Sequence, residues 1–275
     1  MDQKTLRFHR LFHSVSDRSI LLPLDHGTTT GPTFGLKKVP EIVSLAAQFQ
    51  LQGVVAHKGV IQWAVDSGRE AKNVEYLLHL SASTSLSGQP SFKQTVSTIR
   101  HGLRIGVTGI SMHINLGVPN EAEMLKELGR VSEEAYQWGL PLLAMFNIYE
   151  ESGKQTRSWK KLAHAVRIAG ELGADLVKVP MCSDPEYTSE LIQAYPIPVL
   201  LAGGEQSNDK LGMLSSIYQA LQDGARGICM GRNVFEDRDP RAMCRALHAL
   251  VHAGAAPEEA MMIYTQPTFK ELSVI

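Results

Sequence analysis

The sequence has few cysteines, and they form none of the patterns typical of a disulfide framework. Only three occur in 275 residues, at Cys182, Cys229 and Cys244. They are widely separated and include no Cys-x-x-Cys pair. This spacing argues against a small disulfide-stapled fold and fits a protein of a reducing compartment.

Long apolar runs and an excess of one charge are also missing. No run approaches the roughly 20 apolar residues that a membrane span requires. The formal net charge is -1, so no basic surface for nucleic acid and no acidic tail is indicated. Residues 1–12 are charged and lack the apolar core of a signal peptide. We therefore expect a cytosolic protein that binds neither nucleic acid nor membrane.

What the sequence does contain is a regular alternation of short apolar runs and segments with helical period. The predicted strands are Ile20–Leu24, Gly53–His57, Leu77–Ser81, Gly109–Asn115, Leu142–Asn147, Asp175–Val179, Pro198–Ala202 and Gly227–Met230. The predicted helices are Val39–Leu51, Val60–Ala71, Phe92–Ile105, Glu121–Trp138, Ser158–Leu172, Pro185–Tyr195, Leu211–Asp223 and Pro240–His252. Eight strands in this order predict an α/β protein with a single (β/α)8 TIM barrel over residues 1–256 and a C-terminal extension over residues 257–275.

A lysine interrupts the sixth predicted strand. Lys178 lies within Ala174-Asp175-Leu176-Val177-Lys178-Val179-Pro180, and alternation places it on the same face as Leu176. Lysine is seldom buried without a reason, and apolar surroundings favour the neutral amine, which is the nucleophilic form. A lysine whose ammonium reaches water from the strand end is the alternative.

Polar residues follow most of the predicted strands, at the end of the barrel where active sites are built. They include Asp25, His26 and Gly27 after the first strand, Lys58 after the second, Ser83 after the third, His113 on the fourth, Asn147 and Tyr149 on or after the fifth, Gly203 and Gly204 after the seventh, and Gly231 and Arg232 after the eighth. In amine catalysis Lys178 would form an iminium with a ketone, and Asp25 would move protons. Lys58 is the rival nucleophile, and it could equally be a loop cation or a substrate clamp.

The glycines after the seventh and eighth strands predict a phosphate site. Gly203, Gly204 and Gly231 would let backbone amides approach an anion, and Arg232 would add a charged hydrogen bond. Barrel enzymes often hold a phosphate at these two strand ends.

A metal site is the alternative chemistry. His26, His57, His79 and His113 lie near the ends of the first four strands, and neutral imidazoles suit zinc. A zinc ion would polarise a carbonyl in place of an imine. The sequence has no His-x-His or His-Glu-x-x-His spacing, so we expect no metal and no cofactor.

Several stretches together resemble the archaeal-type class I aldolase family, which includes fructose-bisphosphate aldolases and 2-amino-3,7-dideoxy-threo-hept-6-ulosonate synthases. The matching stretches run in order from about residue 8 to residue 251 and are Leu24-Asp25-His26-Gly27, His57-Lys58-Gly59, His79-Leu80-Ser81-Ala82-Ser83-Thr84-Ser85, Ser111-Met112-His113-Ile114-Asn115-Leu116-Gly117, Val177-Lys178-Val179-Pro180, Ala202-Gly203-Gly204 and Met230-Gly231-Arg232-Asn233.

The resemblance implies a TIM barrel with a Schiff-base lysine at Lys178 and a catalytic carboxylate at Asp25. It places phosphate contacts at the glycines and arginine that follow the seventh and eighth strands. It also implies a homo-oligomer, since members of the family commonly form rings.

The fifth strand departs from the family pattern. Many members have Tyr-Pro-Arg-Gly there, with the tyrosine as proton donor, whereas this chain has Met145-Phe146-Asn147-Ile148-Tyr149-Glu150. Asn147 stands at the tyrosine's position and is no acid. Tyr149 has the same parity two residues later, so it either replaces the acid or lies at the rim.

The serine-rich turn after the third strand is most similar to the synthases of the family. Those synthases join L-aspartate 4-semialdehyde to a phosphorylated keto sugar. The departure on the fifth strand favours a sister reaction of the family, which joins dihydroxyacetone phosphate to the same aldehyde and gives 2-amino-4,5-dihydroxy-6-oxo-7-(phosphooxy)heptanoate. The ulosonate synthase and the fructose-bisphosphate aldolase activities are alternatives. A protein that binds a sugar phosphate without turnover is the alternative from another class.

Overall fold

A closed barrel of eight parallel strands forms the centre of the molecule. The computed structural model describes residues 2–33, 35–68 and 70–266. The barrel strands are Ser19–Pro23, Gly53–Ala56, Tyr76–His79, Gly109–Leu116, Leu142–Tyr149, Leu176–Pro180, Val199–Ala202 and Gly227–Cys229. Each pairs with its neighbours in sequence, the eighth pairs with the first, and the register of the fourth and fifth runs from Ile110 opposite Leu142 to Leu116 opposite Ile148. The predicted TIM barrel is confirmed.

Helices surround the barrel. The α-helices are Gln3–Arg10, Gly27–Thr30, Val39–Gln48, Lys58–Ser67, Ile99–Arg104, Glu121–Gln137, Trp159–Glu171, Thr188–Ile192, Lys210–Gln222, Arg232–Phe235, Pro240–His248 and Pro257–Thr265. Helix Glu121–Gln137 shows why they form: Glu121 and Glu123 complement the helix dipole in the first turn, and a stripe containing Met124 and Leu128 is buried. Among the described residues no helix combines the length and the apolar character that a membrane crossing would need.

The core has two layers because side chains alternate along each strand. One set, which includes Val54 and Val177, packs outward against the helices. The other set fills the barrel interior and comprises Leu21, Val55, Leu77, Leu143, Met145, Leu176, Leu200 and Cys229. The interior is therefore a packed apolar floor beneath the carboxyl ends of the strands.

The N-terminal segment closes the opposite end of the barrel. Asp2 caps helix Gln3–Arg10 by accepting a hydrogen bond from the Thr5 amide at 2.8 Å. After this helix Leu11 and Phe12 join the interior apolar cluster, and Leu11 is fully buried. The helix was not among the predicted elements.

The segment before the fourth strand corrects a predicted helix. Phe92–Ile105 was expected to be helical, but only Ile99–Arg104 is, because the Thr98 side chain caps it by accepting from the His101 amide. Upstream, Gln94–Thr95 pairs antiparallel with Ser81–Ala82. Residues 81–95 therefore form a hairpin over the mouth of the barrel, which we call the mouth hairpin.

The C-terminal extension begins with a helix that packs on the barrel. Helix Pro257–Thr265 contacts helices Lys210–Gln222 and Pro240–His248. Tyr264 donates a hydrogen bond to the buried Asp237 at 2.9 Å, and Lys210 pairs with the same carboxylate. The rest of the predicted extension, residues 267–275, lies outside the described residues.

We expect Leu11→Ala to destabilise the protein. Deleting a fully buried leucine removes apolar contacts and leaves a cavity in the barrel floor, which costs about 2–5 kcal/mol. Leu6 is 50% exposed on the same segment. Leu6→Ala should change the free energy of unfolding by about 0.5 kcal/mol or less. Urea denaturation of both variants measures the difference. Equal effects would contradict the inference that Leu11 packs in the interior and closes this end of the barrel.

Candidate active site

A cavity of about 420 Å³ opens at the carboxyl ends of the strands. Its walls carry most of the predicted site residues. The lining residues are Asp25, His26, Thr29, Thr30, Pro90, Lys93, His113, Asn115, Met145, Phe146, Asn147, Tyr149, Gln155, Arg157, Lys178, Pro180, Ala202, Gly203, Gly204, Glu205, Cys229, Gly231 and Arg232. The thirteen residues predicted to form the site come from all eight strands, and the barrel brings ten of them to this one cavity.

Lys178 lies on the floor of the cavity, where its strand neighbours are apolar. In the strand register it stands opposite Met145 on one side and Leu200 on the other. The Cys229 thiol interacts with the amino group of Lys178, and burial raises the pKa of that thiol to about 11. The thiol is therefore neutral and provides no counter-charge. In the described parts of the chain no carboxylate lies within ion-pair distance of Lys178.

Asp25 supplies the negative charge of the site. Burial alone raises its pKa, but electrostatic interactions with His79, His26 and Lys178 outweigh burial, so the pKa of Asp25 lies well below its usual range. Its Oδ2 is 3.5 Å from His79 Nε2 and its Oδ1 is 3.8 Å from His26 Nδ1. Asp25 is therefore an ionised carboxylate in the same cavity as Lys178.

The histidines around Asp25 are neutral. His79 is 2% exposed, and burial lowers its pKa to about 3. Its Nδ1 is 2.7 Å from the hydroxyl of Ser111. Burial also lowers the pKa of His26, His57 and His113. His79 and His26 lie beside the Asp25 carboxylate, and as neutral imidazoles they add no permanent charge.

Five buried polar atoms of the cavity have no hydrogen-bond partner among the described residues. They are Asp25 Oδ1, His26 Nδ1, His113 Nε2, Asn115 Oδ1 and Arg232 Nε. Leaving a buried donor or acceptor unpaired costs roughly 1–3 kcal/mol, so such groups are rare in proteins. Five in one cavity indicate a site built to bond a polar ligand.

Asn233 joins the two loops of the predicted phosphate site. It is fully buried, and its Nδ2 donates to the carbonyls of Gly203 at 2.8 Å and Glu205 at 3.0 Å. Its Oδ1 accepts from the Ser207 amide at 2.8 Å. A side chain at Gly203 would lie 2.5 Å from Met230, so the close approach of the loops requires glycine there.

Two cations flank these loops. Arg232 begins the short helix Arg232–Phe235, and its one ion pair among the described residues is a 3.9 Å contact with the exposed Glu205. Arg157 reaches the cavity near Gly204 from the segment after the fifth strand. The predicted convergence of Gly203, Gly204, Gly231 and Arg232 is thus present in the structure.

The fifth strand is longer than predicted and places both of its polar side chains at the cavity. It continues to Tyr149, which therefore belongs to the strand and not to a loop beyond it. Gln155 donates a hydrogen bond to Tyr149 Oη at 3.0 Å, which leaves the phenolic proton available to another acceptor. Asn147 lies two residues earlier on the same face of the strand and also lines the cavity.

Three residues that were predicted to contact the substrate do not line the cavity. Lys58 starts helix Lys58–Ser67, and its ammonium donates to the carbonyl of Val96 at 3.2 Å. Gly27 starts helix Gly27–Thr30 behind the lining. Ser83 donates to the Pro90 carbonyl at 2.6 Å and stands behind Lys93.

Polar lining residues beyond the predicted site include Lys93, Arg157, Gln155 and Asn115. Alternation places Asn115 on the same face of the fourth strand as His113. Lys93, Arg157 and Gln155 come from hairpins, and no periodic pattern marks them.

The histidines do not form a metal-binding group in the described residues, where no cluster of three or more His, Cys, Asp or Glu has suitable spacing. His57 Nδ1 instead contacts the His79 carbonyl at 3.2 Å, and its Nε2 contacts Thr28 Oγ1 at 3.2 Å.

One cavity of this TIM barrel holds a lysine amine, an ionised carboxylate, and glycine-containing loops flanked by two arginines. These features define the class of Schiff-base aldolases. Comparison with known proteins agrees. Residues 19–237 match the DeoC/LacD family aldolase model. The chain belongs to this family, and the prediction of a class I aldolase is confirmed.

The relatives include two biosynthetic synthases. The chain is 36% identical over 249 residues to 2-amino-4,5-dihydroxy-6-oxo-7-(phosphonooxy)heptanoate synthase of Streptomyces griseus, covering 90% of each chain. It is 37% identical over 245 residues to 2-amino-3,7-dideoxy-D-threo-hept-6-ulosonate synthase 1 of Archaeoglobus fulgidus, covering 89% of this chain and 90% of the relative.

A solved structure gives the same fold. It is an archaeal fructose-1,6-bisphosphate aldolase with its catalytic lysine covalently bound to the carbinolamine intermediate of the substrate. The TM-score is 0.82 at 28% identity, and the match covers 90% of this chain and 99% of that one.

We expect the buried His79 to make stability fall as the pH is lowered. Its pKa is about 3 in the folded protein against an ordinary 6.5, so below pH 6.5 the unfolded chain takes up a proton that the folded protein does not. At pH 5 this costs about 2 kcal/mol of the free energy of unfolding.

Urea denaturation at pH 7.5 and pH 5 measures this effect. His79→Gln should reduce the difference between the two pH values, because the titrating group is gone. His9 is exposed, so His9→Gln should leave the difference unchanged. Equal pH dependence in the wild type and His79→Gln would contradict the assignment.

Proposed function

We propose that this chain joins dihydroxyacetone phosphate to L-aspartate 4-semialdehyde and forms 2-amino-4,5-dihydroxy-6-oxo-7-(phosphooxy)heptanoate. The observation that carries the proposal is the amine of Lys178, which stands without a carboxylate partner on the floor of a cavity with unpaired polar atoms. The likeness to the Streptomyces griseus synthase over 90% of both chains supports this choice of substrates.

The ketone reacts first. Lys178 Nζ adds to the C2 carbonyl of dihydroxyacetone phosphate, and loss of water from the carbinolamine gives an iminium. Asp25 is ionised and takes or returns the protons of these steps. The iminium acidifies C3, whose proton leaves to give an enamine.

The aldehyde reacts second. The enamine carbon attacks the aldehyde carbon, so that a C–C bond forms and the aldehyde oxygen becomes a hydroxyl by taking a proton. We assign this proton to Tyr149, because its Oη accepts from Gln155 and keeps its own proton free. Asn147 beside it can orient the hydroxyl or a water. Water then hydrolyses the iminium, releases the product and regenerates the amine of Lys178.

The phosphate binds at the loops that Asn233 joins. Arg232 has a buried, unpaired Nε, and the glycines leave room for backbone amides to approach an anion. Arg157 reaches the cavity near Gly204 and adds a second cation on this side. Two arginines beside these loops suit a dianionic phosphate ester.

The ulosonate synthase reaction is the second candidate, and the 37% identity to the Archaeoglobus fulgidus enzyme favours it. In that reaction the same aldehyde would meet a phosphorylated keto sugar. Mass spectrometry of products from each ketone donor with L-aspartate 4-semialdehyde separates the two candidates.

We expect borohydride to trap dihydroxyacetone phosphate on Lys178. Reduction of the iminium should leave a stable mass increment on the peptide that contains this residue, and Lys178→Met should abolish it. Lys126 is exposed on the outer face, and Lys126→Met should trap as the wild type does. An increment on Lys58 or Lys93, or none in the wild type, would overturn the mechanism.

We expect Arg232→Met to weaken use of the phosphorylated ketone. Loss of a charged hydrogen bond to phosphate costs about 2 kcal/mol, so kcat/KM for dihydroxyacetone phosphate should fall roughly 30-fold. The rate with unphosphorylated dihydroxyacetone should stay unchanged. The control is Arg104→Met, which removes an exposed arginine from the outer face. Equal losses with both ketones would show that Arg232 does not bind the phosphate.

A further inference from the structure

The wall of the cavity away from the phosphate loops carries a cation that the reaction described above does not use. We propose that Lys93 determines acceptor specificity by binding a carboxylate of the aldehyde, while Asn115 Oδ1 accepts a hydrogen bond from an ammonium of the same molecule. The acceptor is thus recognised as an α-amino acid. This inference rests on the proposed aldol reaction.

Lys93 is held in place by two hydroxyls. It lies in the mouth hairpin just before Gln94–Thr95, and its Nζ donates to Ser83 Oγ at 2.7 Å and to Thr29 Oγ1 at 3.1 Å. An ammonium has three protons, so one is left for a ligand. The two hydroxyls are neutral, so they fix the direction of the ammonium without cancelling its charge.

No carboxylate of the described residues forms an ion pair with Lys93. Asp25 acts on it only at longer range, and burial lowers the pKa of Lys93. A half-buried charge without a partner is costly, and a bound anion would offset that cost. The cavity mouth therefore holds a cation whose counter-ion must come from a ligand.

The position of Lys93 makes it unsuitable for the ketone phosphate. Its hydroxyl partners follow the first and third strands, and its charge acts on His57, His79 and His113 of the second, third and fourth. The phosphate loops follow the seventh and eighth strands. Lys178 on the sixth strand carries the enamine, so the anion at Lys93 belongs to the second substrate.

Asn115 supplies the complementary acceptor. Its Nδ2 donates to the Ser91 carbonyl at 2.6 Å, which fixes the orientation of the amide. Its Oδ1 is buried, lines the cavity and has no partner among the described residues. Because Ser91 and Lys93 belong to the same hairpin, one element positions both a cation and an acceptor. A carboxylate and an ammonium on one carbon atom match this pair.

A binding measurement tests the proposal without turnover. L-Homoserine carries a CH2OH group in place of the aldehyde, 3-aminopropan-1-ol also lacks the carboxylate, and 4-hydroxybutyrate lacks only the ammonium. Ligand-observed NMR titration of the full chain gives the three affinities. Lys93→Met should weaken L-homoserine about 30-fold or more and leave 3-aminopropan-1-ol unchanged. Lys93→Arg should restore part of the loss, and Lys126→Met should bind as the wild type.

The second variant tests the ammonium contact. Asn115→Leu should weaken L-homoserine about 10-fold and leave 4-hydroxybutyrate unchanged. Absence of L-homoserine binding to the wild type, equal loss of charged and uncharged probes, or no loss in Lys93→Met would overturn the proposal.

Borohydride trapping separates this inference from the proposed function. Lys93→Met should still be trapped by dihydroxyacetone phosphate on Lys178, since the ketone does not contact Lys93. Loss of trapping in this variant would place Lys93 on the ketone side and overturn the inference. Failure of trapping in the wild type would overturn the aldol mechanism, and the L-homoserine titration would still decide whether Lys93 binds a carboxylate.

Discussion

The proposed chemistry depends on the amine of Lys178, which forms no ion pair with a carboxylate of the described residues. Lys178 stands among apolar strand neighbours and a neutral thiol, and the carboxylate of Asp25 lines the same cavity beyond ion-pair distance. A direct ion pair would hold the lysine as an ammonium and block attack on a carbonyl. The closed barrel prevents this, because its register fixes which side chains surround the amine.

The chemistry needs two substrates in one small cavity, and the charges are arranged accordingly. Arg232 and the glycine loops form one wall, and Lys93 and Asn115 form another. Burial lowers the pKa of the histidines around Asp25, so they add no further positive charge to the cavity. The chain is similar both to synthases and to a fructose-bisphosphate aldolase. This range of activities fits a lysine amine that is kept among relatives while the residues of the cavity walls differ.

The fold and the floor of the site could be predicted because both follow strand period. Alternation placed Lys178 with Leu176 inside the barrel, and strand ends located Asp25 and Arg232. Alternation does not describe hairpins, so Lys93 and Arg157 were missed. A position after a strand also does not fix where a flexible side chain points, and the Lys58 ammonium donates to a backbone carbonyl away from the cavity lining.

Leu11 and Phe12 pack into the barrel interior at the end opposite the cavity. Any molecule that reaches the amine must enter past the mouth hairpin and leave by the same route. The ketone, which reacts at the floor, therefore has to arrive before the aldehyde that sits above it. Steady-state kinetics should therefore be ordered, and the product should leave the cavity by the route through which both substrates entered.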